Sequence, residues 1–310
     1  MNIVTITMNP SIDISTKIDN VSPDRKLRCE EPTYEFGGGG LNVSHAIKNL
    51  GDESLAIYPY GGKNGELLFQ LLENARIESL PIAIEGSIRE NFTVIEKSSG
   101  RNFRFVMPGP ELKENEWNKI IEIIHDMRDE VNYLVASGSL PKGVPSDFYA
   151  KLADCCKQDK IKMIIDASGE SLKNAVEQGV FLIKPNMREI NDLLGEELID
   201  ENKISENVQN IIRKSKTENV VLSLGSGGAM LITENNCKIF RTPTVQIKSK
   251  VGAGDSMVAG IILKLSEGKE IEEAVKYGIA AGASAVSMPG SQLCEKKYTD
   301  ELFNKISSES

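Results

Sequence analysis

The chain has 310 residues, of which 40% are hydrophobic, 26% charged and only 5% aromatic. That is enough for one large α/β domain whose core rests on Ile, Val, Leu and Ala rather than on rings. Lys and Arg number 36 against 45 Asp and Glu, and a formal charge of −9 argues against a general nucleic-acid binder, which needs a basic face.

From the N-terminus, Met1-Asn2-Ile3-Val4 carries no basic region and reads as a strand. No apolar run approaches a membrane span, so neither a signal peptide nor a membrane helix is expected. The five cysteines, Cys29, Cys155, Cys156, Cys237 and Cys294, are odd in number and include no Cys-x-x-Cys pair. They read as reduced thiols of a cytoplasmic protein. His45 and His125 are the two histidines and stand far apart, which argues against a histidine-based metal site.

Short β-branched runs at residues 3–8, 55–58, 133–136, 162–165, 181–183 and 220–224 predict strands. Helical spacing at 115–128 sets Trp117, Ile120, Ile121 and Ile124 on one face, and residues 146–157, 187–195, 206–214 and 253–265 behave alike. Alternation of this kind predicts an α/β fold with a mainly parallel sheet flanked by helices on both faces. Residues 12–35 and 91–106 break the alternation. The second reads as a hairpin around Ser98-Ser99-Gly100. Together, residues of about 12–35 and 89–107 predict a small β lid; two surface hairpins are the alternative. Residues 229–232 and 238–241 form a further hairpin around Asn235-Asn236. With no repeat and no linker, residues 1–310 are expected to be a single domain.

Four segments, three of them glycine-rich, carry the chemistry. Phe36 precedes Gly37-Gly38-Gly39-Gly40-Leu41-Asn42, which opens a helix over 42–50 and leaves the backbone bare to a polar ligand. Asn42 offers a donor and an acceptor to hydroxyls. His45, on the same helix, reads as a packed or solvated polar residue. Lys184-Pro185-Asn186-Met187-Arg188-Glu189 follows a strand. Asn186 and Glu189 have the spacing of a capping box, or could set their oxygens near hydrated Mg²⁺ at the strand end. Leu224-Gly225-Ser226-Gly227-Gly228 is a nucleotide loop or an ordinary turn. Val251-Gly252-Ala253-Gly254-Asp255 follows a strand-like run, 245–248, and opens a helix. Its amides converge at a helix N-terminus, where anions are favoured, beside a carboxylate able to take a hydroxyl proton. Asp255 could also be a plain cap. A P-loop, a dinucleotide fingerprint, a nucleophile elbow and a zinc-protease signature are all missing from the sequence.

In this order the segments resemble the PfkB/ribokinase family of carbohydrate kinases over essentially the whole chain. The Gly-Gly-x-x-Asn segment ending at Asn42, Asn186-x-x-Glu189 and Gly252-Ala253-Gly254-Asp255 carry the resemblance. Lys26-Leu27-Arg28-Cys29, Arg104-Phe105-Val106-Met107-Pro108-Gly109 and Ser137-Gly138-Ser139-Leu140-Pro141 resemble the branch acting on phosphosugars. The resemblance implies a ribokinase-like fold and ATP- and Mg²⁺-dependent phosphorylation of fructose 6-phosphate to fructose 1,6-bisphosphate. Unbroken glycine at 37–40 favours that substrate over fructose 1-phosphate or tagatose 6-phosphate, whose kinases more often carry Lys there. A non-catalytic nucleotide- or sugar-binding regulator is a further alternative, against which the intact Asp255 argues.

The resemblance also implies roles. Asp255 is the general base, and the amides of Gly252, Ala253 and Gly254 form an anion hole. Asp13, Gly38, Gly39 and Asn42 hold sugar hydroxyls. Lys26, Arg89 and Arg104 meet the sugar phosphate, with Ser139 nearby. Lys184, Asn186, Ser223, Gly225 and Gly228 line the ATP side, and Glu189 serves Mg²⁺ through water. A homodimer through the lid is implied. Ser249-Lys250 departs from the Asp and small residue common before this loop and leaves a K⁺ site open.

Overall fold

The computed structural model describes residues 2–197 and 200–308. Among them, nine strands form one sheet: β1 (Ile3–Ile6), β4 (Leu55–Tyr60), β5 (Ser79–Ala83), β8 (Tyr133–Ser137), β9 (Lys162–Asp166), β10 (Leu182–Ile183), β11 (Asn219–Ser223), β12 (Ala229–Ile232) and β13 (Cys237–Phe240). Their order is β13-β12-β11-β10-β9-β8-β1-β4-β5. All pairings are parallel except the two that join β11, β12 and β13. Its central strands are buried on both faces because they are apolar at successive positions, while the edge strands β5 and β13 are partly exposed.

Val4, Ile6, Leu134, Ala136, Ile165 and Ile183 face one layer of helices: α3 (Glu114–Asp126), α4 (Phe148–Gln158), α5 (Gly169–Gln178), α6 (Met187–Leu194) and α7 (Glu201–Ser215). Ile3, Val135, Ile164, Leu182 and Val221 face the other: α1 (Gly39–Leu50), α8 (Ala253–Ser266), α9 (Ile271–Val286) and α10 (Lys296–Ser308). This is the ribokinase-like α/β arrangement expected from the sequence. Among the described residues, no helix is long and apolar enough to cross a membrane.

A second sheet of four strands has the order β3-β2-β6-β7, from β2 (Ser11–Ile18), β3 (Thr33–Gly37), β6 (Arg89–Glu96) and β7 (Asn102–Phe105). Strands β2 and β6 pair in parallel, bringing Ser11 beside Arg89 and Asp13 beside Asn91. Alternation across this sheet separates two faces. One carries Ser11, Asp13, Glu35, Arg89, Asn91 and Arg104. On the other, Tyr34, Ile14, Phe92 and Phe105 stand in register across all four strands. At its inner end Ile12 packs with Leu41 of α1, and with Leu68 and Leu72 of α2 (Gly62–Asn74).

One expected strand does not form. Residues 245–248 alternate Val245 and Ile247 with polar residues, but no strand lies beside them. Lys248 and Ser249 instead donate their N–H groups to the carbonyl of Val286, and Ile247 is 55% exposed. The glycine run also differs from a loose loop. Gly37 ends β3, Gly38 caps α1 with φ 125°, and Gly39 and Gly40 already lie in the helix.

Candidate active site

Strands of a parallel sheet deliver their C-terminal ends, and the helix N-termini that follow, to one edge. Here that edge holds a cavity of about 490 Å³. Ser137 and Asp166 reach it from the ends of β8 and β9, Asn42 and His45 from α1, and Asp255 from the first turn of α8. The polar face of the second sheet supplies Ser11, Asp13, Arg89, Asn91 and Arg104 to the same space.

Asp255 is held in place by Asn42, whose Nδ2 donates to Oδ2 at 2.9 Å. Gly252 caps α8 in the left-handed region, φ 74°, which only glycine adopts without strain. The first intrahelical bond of α8 runs from Ser256 N–H to the Gly252 carbonyl, 2.9 Å. The amides of Ala253, Gly254 and Asp255 precede it and have no helical acceptor. Beneath them, a Cβ placed on Gly254 would stand 3.4 Å from Lys184 Nζ. Lys184 is 6% exposed and pairs with Asp166 Oδ1 at 3.1 Å.

These charges set one another's protonation. Burial pushes the Asp255 carboxyl up to about 7, the charge of Asp166 adds to it, and Asn42 and Lys184 oppose it. Burial disfavours the Lys184 ammonium, but Asp166, with Glu189 and Asp255, outweighs it and holds its pKa above the usual value. Glu189 is pushed up by burial, and Asp166 pushes the same way. Three carboxylates thus share one buried cation. That surplus of hard oxygen donors fits Mg²⁺ at this place.

The second sheet builds a separate polar cluster. Asp13 Oδ1 accepts from Ser11 Oγ and from Asn91 Nδ2, both at 2.8 Å. Asn91 Oδ1 accepts from Met107 N–H at 3.2 Å, tying down the segment after β7. Arg104 Nη2 lies 4.0 Å from Asp13 Oδ2. Arg89 donates to the carbonyls of Asn9, 3.0 Å, and Met107, 3.2 Å, while its Nε and the buried Asn9 Oδ1 have no partner among the described residues. Burial lowers the Arg89 pKa, Asp13 opposing and Arg104 adding to the shift. The Ser291 hydroxyl donates to the Glu35 carboxylate, joining this sheet to the turn after α9.

Of the sequence-derived candidates, Asp13, Gly38, Gly39, Asn42, Arg89, Arg104 and Asp255 all line the cavity. Ser139 is exposed just beyond Gly138 and accepts from Asn9 Nδ2 at 3.2 Å. Lys26 is exposed in the irregular segment 19–32 and does not line it.

Lys184, Asn186, Glu189, Ser223, Gly225 and Gly228 gather at the ends of β10 and β11, where Ser223 N–H donates to the Pro185 carbonyl at 2.9 Å. Asn186 and Glu189 form a reciprocal capping box on α6: Glu189 N–H to Asn186 Oδ1, 3.0 Å, and Asn186 N–H to Glu189 Oε2, 2.9 Å. Gly228 is fixed by packing, since a Cβ there would stand 2.0 Å from the Phe240 carbonyl oxygen. His45 lines the cavity with its ring 5.2 Å from that of Phe36, and burial lowers its pKa against the pull of Glu35.

Sequence reasoning missed Asp166, Asn91 and Ser11. An acid ending an apolar strand was a readable signal for Asp166. Asn91 and Ser11 needed the pairing of β2 with β6, which no local pattern gives.

The sequence pattern of the pfkB family carbohydrate kinases matches residues 3–297. The ATP-dependent 6-phosphofructokinase isozyme 2 of Mycobacterium tuberculosis is 40% identical over 301 residues, 97% of this chain and 88% of the relative. The enzyme of the same name from Escherichia coli K12 is 38% identical over 308 residues, 99% of each chain. The crystal structure of phosphofructokinase-2 from Escherichia coli in complex with potassium superposes with a TM-score of 0.94 at 38% identity, covering 99% of each chain. The chain belongs to the pfkB family of carbohydrate kinases, and it is a sugar-phosphate kinase with a ribokinase-like fold.

Proposed function

We propose that this protein transfers the γ-phosphoryl group of ATP to fructose 6-phosphate, giving fructose 1,6-bisphosphate and ADP. The observation that carries the proposal is the shared cavity. A carboxylate with a pKa near 7 and a helix N-terminus stand on one side of the ligand space, and two arginines enter it from the second sheet. Two relatives at 38–40% identity bear the name of this activity.

Asp13 and Asn42 bind and orient the sugar hydroxyls, and Arg89 and Arg104 take its phosphate in charge-assisted hydrogen bonds. Asp255 accepts the proton of the attacking hydroxyl as the oxygen forms its bond to phosphorus and the bridging oxygen leaves with ADP. The amides of Ala253 and Gly254, above Lys184, hold the transferring oxygens. Lys184, Ser223 and the Gly225–Gly228 turn bound the ATP side. Glu189, through water, and Asp166 would hold Mg²⁺, which would neutralise phosphate charge there. The second sheet closes over the sugar and keeps water from the reaction. Residues 1–310 act as one domain with this sheet as its lid.

The outer face of that sheet supports a homodimer. Tyr34, Phe92 and Phe105 are 47%, 38% and 51% exposed in one row, with Val106 and Met107 beside them. K⁺ is a candidate activator. Residues 241–250 lie outside any ladder before α8 and offer carbonyl oxygens, the donors K⁺ takes, and the Lys250 side chain is exposed. Free thiols at all five cysteines support a cytoplasmic location.

The test is ATP-dependent turnover of fructose 6-phosphate, fructose 1-phosphate, tagatose 6-phosphate and fructose, with the product identified by ³¹P NMR. A preference in kcat/KM for fructose 6-phosphate supports the proposal. Preference for another phosphosugar would move the substrate, and preference for fructose would show that Arg89 and Arg104 do not read a phosphate.

A further inference from the structure

A second constellation lies at the opposite end of the main sheet. Strands β8 and β9 point their C-terminal ends, Ser137 and Asp166, into the cavity, so the chain leading into them lies at the far edge. There α3 ends at Asp126 and α4 at Gln158, the two helices packed through Trp117 and Phe148 with ring centroids 5.9 Å apart. His125 stands in the last turn of α3. Cys155 stands in the last turn of α4, and Asp159 is its C-cap. Cys155 and Asp159 are four residues apart and share a helix face, a spacing that suits two ligands of one metal ion.

The atoms converge. His125 Nδ1 lies 2.9 Å and Cys155 Sγ 3.6 Å from the same oxygen, Asp159 Oδ2, and all three lie within 4.8 Å of one another.

The electrostatics also call for a cation. The Asp159 side chain is only 7% exposed, and it sits where α4 presents its negative end. Among the described residues no Lys or Arg pairs with it; its partners are an imidazole and a thiol, neither a fixed cation. The C-terminus of α3 brings negative partial charge of the same kind to His125.

We propose that His125 Nδ1, Cys155 Sγ and Asp159 Oδ2 form a binding site for a divalent cation of the Zn²⁺ class that pins α3 to α4, with water as the fourth ligand. Around a tetrahedral zinc with bonds of about 2.0–2.3 Å, ligand atoms lie roughly 3.3–3.5 Å apart. The sulfur–oxygen pair, at 3.6 Å, is already near that spacing. The nitrogen–oxygen pair must open by a few tenths of an ångström from its hydrogen-bonded 2.9 Å. Binding moves protons and no electrons. The thiol loses its proton as the metal–sulfur bond forms. The neutral imidazole binds as the tautomer with its hydrogen on Nε2, on the solvent side of an exposed ring, its Nδ1 lone pair goes to the metal, and the thiol proton passes to solvent. A nitrogen, sulfur and oxygen donor set selects against Mg²⁺ and Ca²⁺, which take oxygen alone, so this site is chemically distinct from the one near Glu189.

Co²⁺ added to the reduced, Mg²⁺-free full chain tests the proposal, because only a cobalt–thiolate bond gives intense near-ultraviolet charge-transfer absorption. The expected result is such absorption saturating at one Co²⁺ per chain. Cys155→Ser abolishes it, Cys29→Ser leaves it intact, and His125→Gln weakens Co²⁺ at least about tenfold. Zn²⁺ raises Tm in the wild type and not in Cys155→Ser, and His125→Gln leaves kcat/KM within about twofold. No thiolate band, or a band that persists unchanged in Cys155→Ser, would overturn the proposal. Since His125 is exposed, His125→Gln is a second variant that folds independently of what Cys155→Ser does. An unchanged Co²⁺ affinity there would overturn the site equally.

Discussion

Asn42 Nδ2 donates to Asp255 Oδ2 at 2.9 Å across 213 residues of sequence, and this bond joins the glycine run to the Gly-Ala-Gly loop. It orients the carboxylate and stabilises its charged form against burial. A base with a pKa near 7 is ionised above neutrality and protonated below it. kcat/KM is therefore expected to rise with pH through about 7. Asn42→Ala removes an interaction that lowers the pKa, so its profile should shift to higher pH. A profile flat across neutrality would contradict the assignment.

Lys184 acts on the same carboxylate. It is buried with Asp166, and removing one partner of such a pair costs about 3–5 kcal/mol. Lys184→Met is expected to lower stability by that order in urea unfolding. It should also move the pH midpoint upward, because the ammonium lowers the Asp255 pKa. A stability loss with no shift of the midpoint would assign Lys184 a packing role only.

Arg104 is exposed to solvent beside Asp13, and Arg89 is tied to the carbonyls of Asn9 and Met107. Loss of a charge-assisted hydrogen bond costs about 1.5–3 kcal/mol. Arg104→Ala is expected to raise KM for fructose 6-phosphate about 10–100-fold and to leave KM for ATP unchanged. Steady-state kinetics with each substrate varied in turn separates the two.

The glycine run is tight rather than loose. A Cβ on Gly39 would stand 2.1 Å from Ser137 Oγ, at the end of β8. Gly39→Ala is expected to cost about 1–3 kcal/mol and to raise KM for the sugar, because α1 must shift with Asn42 on it. Pairing it with Ser137→Gly should restore part of both. A fully stable, fully active Gly39→Ala would show that the close approach is not required.

Much of this was readable from local pattern. The central strands of the main sheet announced themselves because burial on both faces demands unbroken apolar, mostly β-branched runs, as at Val220, Val221 and Leu222, whereas the edge strand β5, with Ser79, Leu80, Pro81 and Ala83 partly or fully exposed, was not read as a strand. The Gly252–Asp255 turn was legible because its chemistry is contiguous. What escaped depends on pairing between distant segments. Asn91 means little until β6 lies beside β2, and Asp166, though its place at the end of an apolar strand was a local signal, meets its charged partners Lys184 and Asp255 only in the fold. Residues 245–248 misled because alternation predicts a strand only when a neighbour exists to bond it. Asn186 and Glu189 show a reading with two outcomes in one geometry: they cap α6, and their carboxylate still faces the shared charge around Lys184.

The most direct measurement is the turnover of fructose 6-phosphate by Asp255→Asn with saturating ATP and Mg²⁺. The expected result is a kcat lower by about 10²–10⁴, a KM for fructose 6-phosphate close to wild type, and a fold at least as stable, since a neutral amide escapes the burial that raises the Asp255 pKa. A kcat near wild type would contradict the central claim that Asp255 takes the proton.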